Sequence, residues 1–355
     1  SIKITLMGDP AKEKAKLRVG VICGGDSSEH SVSCLSAASL LKSIDREIFE
    51  VTLIGITQEG KWVRLKDDPS LIALNGGELP VVPADAPEIS VSEIGAEIDL
   101  AFPVVHGTFG EDGTLQSILD KAGIVYVGSG ENASRDGFDK GVSRKIYSDA
   151  GIPSTKTKIL LMTDWKVQQS RIASEIKVEF ELPLFVKPSR SGSSQGVAKV
   201  KNWDQLEGAV NDAFTHDDKV LIEEMISGRE VECGVLGSKA SAIGEIIILG
   251  NHEFYDFEAK YLDDATKLIV PAEISEEIAN QIRVLAIKAF NLIGAEGLAR
   301  VDFFLKPDGS LVLNEINTMP GFTATSMYPR LWQASGITYQ NLITELIRVA
   351  QEKVK

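Results

Sequence analysis

Cysteine is scarce in this chain. Its 355 residues hold 3, at Cys23, Cys34 and Cys233, and none sits at the spacing of a metal-binding pair or a disulfide framework. That excludes a stapled secreted scaffold and predicts core thiols in a reducing compartment. Long apolar runs are also missing. No stretch approaches the roughly 18 residues that mark a membrane-spanning helix, and the N-terminal segment lacks the apolar centre of a signal peptide. Positive charge is in deficit, with a formal net charge of −14. This argues against a nucleic-acid partner or an anionic membrane surface, while leaving room for a local basic pocket. Neither a G-x-x-x-x-G-K-S/T phosphate loop nor a G-x-G-x-x-G dinucleotide turn occurs, although Gly24-Gly25 follows a strand-like run. The expected location is the cytoplasm.

What remains is ordinary for a globular protein: 43% hydrophobic and 25% charged residues, in a length suited to about two or three domains. Leu17–Gly25 reads as a buried strand entering a glycine turn, followed by a helix from about Ser31 and a strand over Val51–Thr57. Residues 66–97, rich in Pro, Asp, Glu and Gly, read as irregular. Buried strands return at Leu100–Gly107 and Ile124–Gly128. This alternation predicts a parallel α/β unit over residues 1–127. A helix is expected over Phe138–Ala150, ended by Gly151 and Pro153. Then LPLFVKP and VAKV flank a small-residue loop, Trp203–Phe214 reads as a helix, and VLIEEMI as a strand. Two further strands, a polar loop over 250–267, a helix over Ser275–Phe290, a hairpin and a helical tail from Thr338 complete the chain.

The hairpin is the most informative segment. Residues 298–317, LARVDFFLKPDGSLVLNEIN, place Asp308-Gly309 between two apolar-rich strands, a strong two-residue turn signal. With that loop Asp302 faces Glu315 and Arg300 faces Asn317, all four on one face. Opposed carboxylates repel, so a fold rarely juxtaposes them without a cation between them. Two carboxylates and an amide oxygen suit Mg²⁺, with substrate phosphates filling the other positions. A solvated sheet face is the alternative.

The second informative segment is Lys187-Pro188-Ser189-Arg190-Ser191-Gly192-Ser193-Ser194-Gln195-Gly196. Lys187 closes an apolar strand, and the glycines and serines after it can turn several donors, Ser194 among them, toward one anion. The composition suits a lid whose closure excludes water from a reactive phosphate; a plain surface hairpin is the other reading. Lys140 stands in a charged patch. Glu223-Glu224-Met225-Ile226 ends a strand where an adenine could lie between apolar side chains, and Glu230 could accept from ribose hydroxyls.

Together these segments resemble the ATP-grasp superfamily, and more closely the D-alanine–D-alanine ligases. The similarity runs from about Arg18 to the C-terminus. It is carried by GGDSSEHSVS at 24–33, HGTFGEDGTLQ at 106–116, KPSRSGSSQG at 187–196, FEAKY at 257–261, ARVDF at 299–303 and NEINTMPGFTATS at 314–326, in the family's order. The resemblance implies an ATP-grasp fold, mixed α/β and α+β: an N-terminal α/β substrate domain (1–127), a central lid domain (128–228) and a C-terminal catalytic domain (229–355). It implies ATP and two Mg²⁺ ions bound by Asp302, Glu315 and Asn317, with Mn²⁺ as a substitute and K⁺ as a candidate activator. Lys140, Lys187 and Lys260 resemble the phosphate-contacting lysines. Glu223 and Glu230 resemble the adenine and ribose contacts, with Met225 and Ile226 beside the base. Glu29 resembles the carboxylate that holds the first D-alanine's ammonium, with Ser193 and Tyr261 closing loops over it and His106 nearby. Arg300 and the Gly321 N–H resemble the oxyanion pair, and Ser326 the group receiving the second D-alanine's carboxylate. Ser191 stands where many relatives have glutamate, and ENASRDGFDK departs from the commoner segment before the lysine.

The reaction so implied joins two D-alanines through a D-alanyl phosphate, giving ADP and phosphate for peptidoglycan precursors. Keeping Tyr261 in FEAKY, rather than a histidine-containing segment, favours an amine over a D-lactate nucleophile. Another ATP-grasp carboxylate–amine ligase and a non-catalytic nucleotide-binding module are the rival readings. A homodimer is implied by resemblance alone.

Overall fold

The computed structural model describes residues 15–249 and 266–353. At the N-terminal end, β1 (Leu17–Gly24) leads through the glycine turn into α1 (His30–Ser43), then β2 (Phe49–Ile56) and β3 (Trp62–Leu65). The stretch 66–97 is more ordered than its composition suggests. Asp68 caps a short 3-10 turn at Pro69–Ile72. After it, α2 (Val91–Glu97) starts at Ser90, whose Oγ accepts from Glu93 N at 3.2 Å while the Glu93 carboxylate accepts from Ser90 N at 2.7 Å. That reciprocal capping box outweighs the breakers around it. With β4 (Leu100–Pro103) the sheet order is β3-β2-β1-β4; β2 and β4 run parallel to β1, and β3 is antiparallel. After α3 (Thr114–Lys121), the expected strand over Ile124–Gly128 is reduced to one bridge, Ala101 to Tyr126.

The helix expected over Phe138–Ala150 forms from Lys140 onward, and a separate helix precedes it. Asp139 adopts extended ψ between α4 (Glu131–Phe138) and α5 (Lys140–Asp149), and its carboxylate caps α5 by accepting from Val142 N at 3.2 Å. The chain continues through β5 (Thr157–Leu161), α6 (Met162–Glu179), β6 (Leu184–Pro188), β7 (Ala198–Val200), α7 (Leu206–Ala213) and β8 (Lys219–Glu224). These strands form an antiparallel sheet in the order β5-β8-β6-β7, so the serine-rich loop joins β6 to β7 as a hairpin.

The third sheet comprises β9 (Arg229–Leu236), β10 (Lys239–Ile248), β11 (Thr266–Ile269) and, beyond α8 (Glu276–Leu292), β12 (Leu298–Leu305) and β13 (Leu311–Asn317). Its order is β11-β10-β9-β12-β13. Thr266 and Lys267, expected in a loop, belong to β11; residues 250–265 lie outside the described residues. The hairpin corrects the sequence reading twice. Its loop is Pro307-Asp308-Gly309, closed by Lys306 N on Ser310 O at 2.9 Å, with Gly309 at φ +84°. A turn ending in a left-handed glycine is a common longer hairpin connection. This loop alone would set Asp302 against Asn314. A β-bulge then leaves Asn314 unpaired, because Phe303 pairs with Leu313 but Asp302 with Glu315. The two departures cancel, and the expected pairs Asp302–Glu315 and Arg300–Asn317 form.

The chain ends in α9 (Met327–Ala334) and α10 (Tyr339–Glu352), the latter capped by Thr338. Leu342, Ile343, Leu346 and Ile347 of α10 are fully buried in the same core as Val19, Val21 and Leu40 of the N-terminal sheet and α1. Phe322 joins this core, 5.5 Å between ring centroids from Phe102 and 5.6 Å from Tyr339. The two ends of the chain are therefore one packed body. Replacing Leu346 by Ala is expected to destabilise the fold by about 2–5 kcal/mol, read from urea unfolding.

Candidate active site

A cavity of about 1050 Å³ opens where the three sheets meet, at the upper end of the roughly 300–1,000 Å³ usual for ligand sites. It is lined by every site residue expected from the sequence except Lys260 and Tyr261, which lie outside the described residues.

One wall is built on α5 and the start of the serine-rich loop. Ser189 ties them together: its Oγ donates to Asp139 at 2.6 Å and accepts from Gly141 N at 3.0 Å, while its carbonyl accepts from Lys140 N at 3.0 Å. Lys219 completes the shell of Asp139 at 2.6 Å. Burial alone would raise the Asp139 pKa, but Lys219 and Ser189 hold it below the usual carboxylate range. This staple brings the N-terminal end of α5, and Lys140 with it, beside Lys187. The Lys140 ammonium donates to Ser191 O at 2.8 Å and lies 3.8 Å from Glu315.

Glu223 sits beneath, 2% exposed, ion-paired with Arg144 at 2.5 Å and with Lys187. Burial pushes the Lys187 ammonium down; Glu223 opposes this, while Arg144 and Lys140 add to it. For Glu223, burial would raise the pKa, but Arg144 and Lys187 outweigh it and hold the carboxyl below its ordinary value. Beyond Glu223 the strand leaves the sheet through Met225 and Ile226, which with Glu230 on β9 line the same side of the cavity.

The opposite wall is the β12–β13 pair. Arg300 is 7% exposed and lies between two carboxylates, Glu232 at 2.9 Å and Asp302 at 2.8 Å. Asp302 also accepts from Asn317 Nδ2 at 3.2 Å. The donor set fits Mg²⁺: Asp302 and Glu315 supply charged oxygens, and a half-turn of the Asn317 amide presents a neutral one. No group of three His, Cys, Asp or Glu among the described residues could hold a metal unaided. An ion here needs oxygens from outside the chain, as Mg²⁺ does when it bridges substrate phosphates.

The lid loop reaches across to the N-terminal lobe. Ser193 Oγ donates to Glu29 at 3.0 Å, and a Cβ at Gly192 would stand 2.6 Å from the same carboxylate, so a side chain there would push that carboxylate aside. Ser193 and Ser194 hold left-handed φ of +50° and +57°, each costing about 1–2 kcal/mol. Arg190 anchors the root of the loop on Asp217 at 2.5 Å. At the far end His106 is buried, with Nδ1 3.1 Å from Met319 O and Nε2 2.8 Å from Ser36 Oγ. Ser326 heads α9, its Oγ 2.7 Å from Thr323 Oγ1, and Gly321 also lines the cavity.

Arg144, Glu232, Ser36 and Asp139 escaped the sequence reading as site residues. Only Arg144 left a signal, one helical turn beyond Lys140 on α5. Glu223→Gln removes the anion between Arg144 and Lys187 and is expected to cost about 3–5 kcal/mol near neutral pH. Because the folded pKa lies below the ordinary 4.5, this contribution is complete above 4.5 and lost as the pH falls through the lowered value. Urea unfolding at neutral and acid pH should show the variant's deficit shrinking in acid.

Comparison with known proteins points to one family. Residues 18–129 match the family model for the D-ala D-ala ligase N-terminus, and residues 146–348 that for the D-ala D-ala ligase C-terminus. A D-alanine–D-alanine ligase from Mycolicibacterium gilvum is 45% identical, covering 95% of this chain and 97% of the relative. One from Mycobacterium avium is 44% identical over 94% and 96%. Among solved structures, the VanG D-Ala:D-Ser ligase of Enterococcus faecalis superposes with a TM-score of 0.81 at 33% identity, covering 95% of this chain and 100% of the other. The D-alanine–D-alanine ligase of Coxiella burnetii gives 0.79 at 33%, covering 95% and 94%. With both halves matched and the ATP-grasp architecture shared, this chain belongs to the D-alanine–D-alanine ligase family.

Proposed function

We propose that this protein joins two D-alanines to D-alanyl-D-alanine at the expense of ATP, through a D-alanyl phosphate, as a step in peptidoglycan precursor synthesis. The observation that carries this reading is the convergence, in one cavity, of Asp302, Glu315 and Asn317 with Lys140 and Lys187 on one side and Glu29 under the lid on the other.

A carboxylate is a poor electrophile, so it must first be phosphorylated. Mg²⁺, when bound, supplies charge neutralisation for the transferring phosphoryl group. Asp302, Glu315 and Asn317 would hold two such ions. Lys140, Lys187 and, by resemblance, Lys260 would contact the phosphates, with Ser194 of the lid adding a donor. Met225 and Ile226 would flank the adenine. Glu230 takes the ribose. Glu223, the expected adenine contact, also keeps Lys187 and Arg144 from repelling each other.

Glu29 would take the first D-alanine's ammonium, with Ser193 holding the carboxylate in place and Tyr261 assigned the same closing role. His106 lines this end of the cavity. The second D-alanine's carboxylate is assigned to Ser326, where the N-terminus of α9 favours an anion. Its amine attacks the activated carbonyl, and the oxyanion that forms is met by Arg300 and the Gly321 N–H. Glu232 and Asp302 hold that guanidinium in place before the reaction begins.

The proposal extends to three lobes, 1–127, 128–228 and 229–355, to a cytoplasmic homodimer, to Mn²⁺ as a substitute metal and to K⁺ as an activator. No helix among the described residues is long and apolar enough to cross a membrane.

Phosphate release from ATP should depend on D-alanine; release that ignores D-alanine, or none at all, overturns the ligase reading. Asp302→Asn should lower kcat by about 100-fold or more, since a metal contributes several kcal/mol and each 1.36 is tenfold. When D-alanine and D-lactate are offered together at neutral pH, product analysis should show the dipeptide in excess; a predominant depsipeptide would reverse the assignment of the nucleophile.

A further inference from the structure

Behind His106 lies a polar network whose serines have no place in the scheme above. Ser33, Ser36 and Ser39 recur at three-residue spacing along one face of α1. Ser33 accepts from Gly24 N at 2.8 Å and donates to Val104 O at 2.6 Å, within the N-terminal lobe. Ser39 accepts from Ala324 N at 2.9 Å. Ser36, fully buried, makes the intermediate bonds: its Oγ lies 2.8 Å from His106 Nε2 and 3.4 Å from Phe322 N.

The proton positions in this network follow from its partners. Met319 O can only accept, so His106 Nδ1 carries the hydrogen of that 3.1 Å bond. In the neutral ring Nε2 is then an acceptor, and the Ser36 hydroxyl donates to it. The remaining lone pairs of Ser36 Oγ receive the Phe322 N–H. The circuit grips residues 319–322 at both ends, at the Met319 carbonyl and the Phe322 amide. Gly321 lies between those two grips, and no side chain of its own can hold it. Every group in the circuit is buried: His106 is 2% exposed, Met319 5% and Phe322 0%. Loss of this one hydroxyl therefore removes a hydrogen bond from each of two buried groups, the His106 ring and the Phe322 N–H.

We propose that Ser36 is a positioning residue for the ligation step, acting through His106 and the 319–322 segment to aim the Gly321 N–H at the developing oxyanion. The proposal rests on the reading of Gly321 given above. Ser36 itself faces His106 and the backbone and touches no reacting atom. Its effect falls on the attack of the second amine, where the oxyanion forms, more than on phosphoryl transfer, which is governed by Lys140, Lys187 and the Asp302 cluster. Removing an oxyanion donor outright costs about 10²-fold or more in rate, and loosening one costs less.

The test compares Ser36→Ala and Ser33→Ala with the unaltered enzyme. Two rates are measured: dipeptide formation, and positional isotope exchange in oxygen-labelled ATP, which reports reversible phosphorylation of D-alanine without amide formation. Ser36→Ala is expected to lower kcat for dipeptide by about 10- to 100-fold while isotope exchange and the KM for ATP stay near their original values. The retained exchange also shows that the variant is folded. Ser33→Ala removes an equally buried hydroxyl that does not reach the 319–322 segment, and it should not separate the two rates. Equal loss of both rates in Ser36→Ala, no loss of either, or the same selective loss in Ser33→Ala overturns the proposal and leaves the ligase reading standing. An unaltered enzyme that makes no dipeptide overturns both.

Discussion

Two carboxylates that repel each other face one another across the β12–β13 ladder, Asp302 against Glu315, and the rest of the site is arranged around that opposition. Asp302 is 7% exposed, so water screens it little, and its charge must be answered by neighbours. Arg300 answers it from two residues away on the same face, its Nε and Nη2 donating to the two Asp302 oxygens, with Glu232 on the adjacent strand 2.9 Å from the same Nε. Glu315 is answered by Lys140, delivered from another lobe. Local cations thus stabilise a concentration of negative charge on the cavity wall.

The cation for Glu315 comes from a helix outside the third sheet, so this pair links two parts of the chain. Lys140 is carried on α5, which Asp139 and Ser189 staple to the root of the lid loop. The loop then reaches Glu29 in the N-terminal lobe through Ser193. A strained left-handed pair of serines persists at its tip, and such strain is tolerated where surrounding contacts over-determine the backbone. The β12–β13 carboxylates, the lysine wall and Glu29 are therefore coupled through short polar links. On the other side of the cavity, the apolar core shared by α1, α10 and Phe322 fixes the N-terminal lobe against the third sheet.

Much of this was written locally in the chain. Asp302, Glu315 and Asn317 could be placed on one face from strand periodicity alone, and the glycine–serine loop after Lys187 announced a backbone able to wrap an anion. The hairpin also shows the limit of such inference. The loop is longer than Asp308-Gly309, and a bulge at Asn314 restores the register, so the right pairs came from two errors that cancel. Neither has a local signature: a bulge is chosen by how the strand must bend to meet its neighbours. In 66–97, by contrast, the Ser90–Glu93 capping box is a local signature masked by the breakers around it, whereas Asp139 precedes α5 with a carboxylate shared by Val142, Ser189 and Lys219, which no local pattern announces.

By itself the sequence determined the chemistry available: which side chains could bind phosphate, metal and ammonium, and the strands and loops that would carry them. These follow from residue type and short-range spacing, which act within a few residues of chain. Only the tertiary structure decided which charges answer one another. Arg144 meets Glu223, Ser36 meets His106 and Phe322, and α10 completes the N-terminal core. Each joins residues tens to hundreds of positions apart, and each depends on burial, which raises the cost of an unpaired polar group and is a property of the packed molecule, not of any segment.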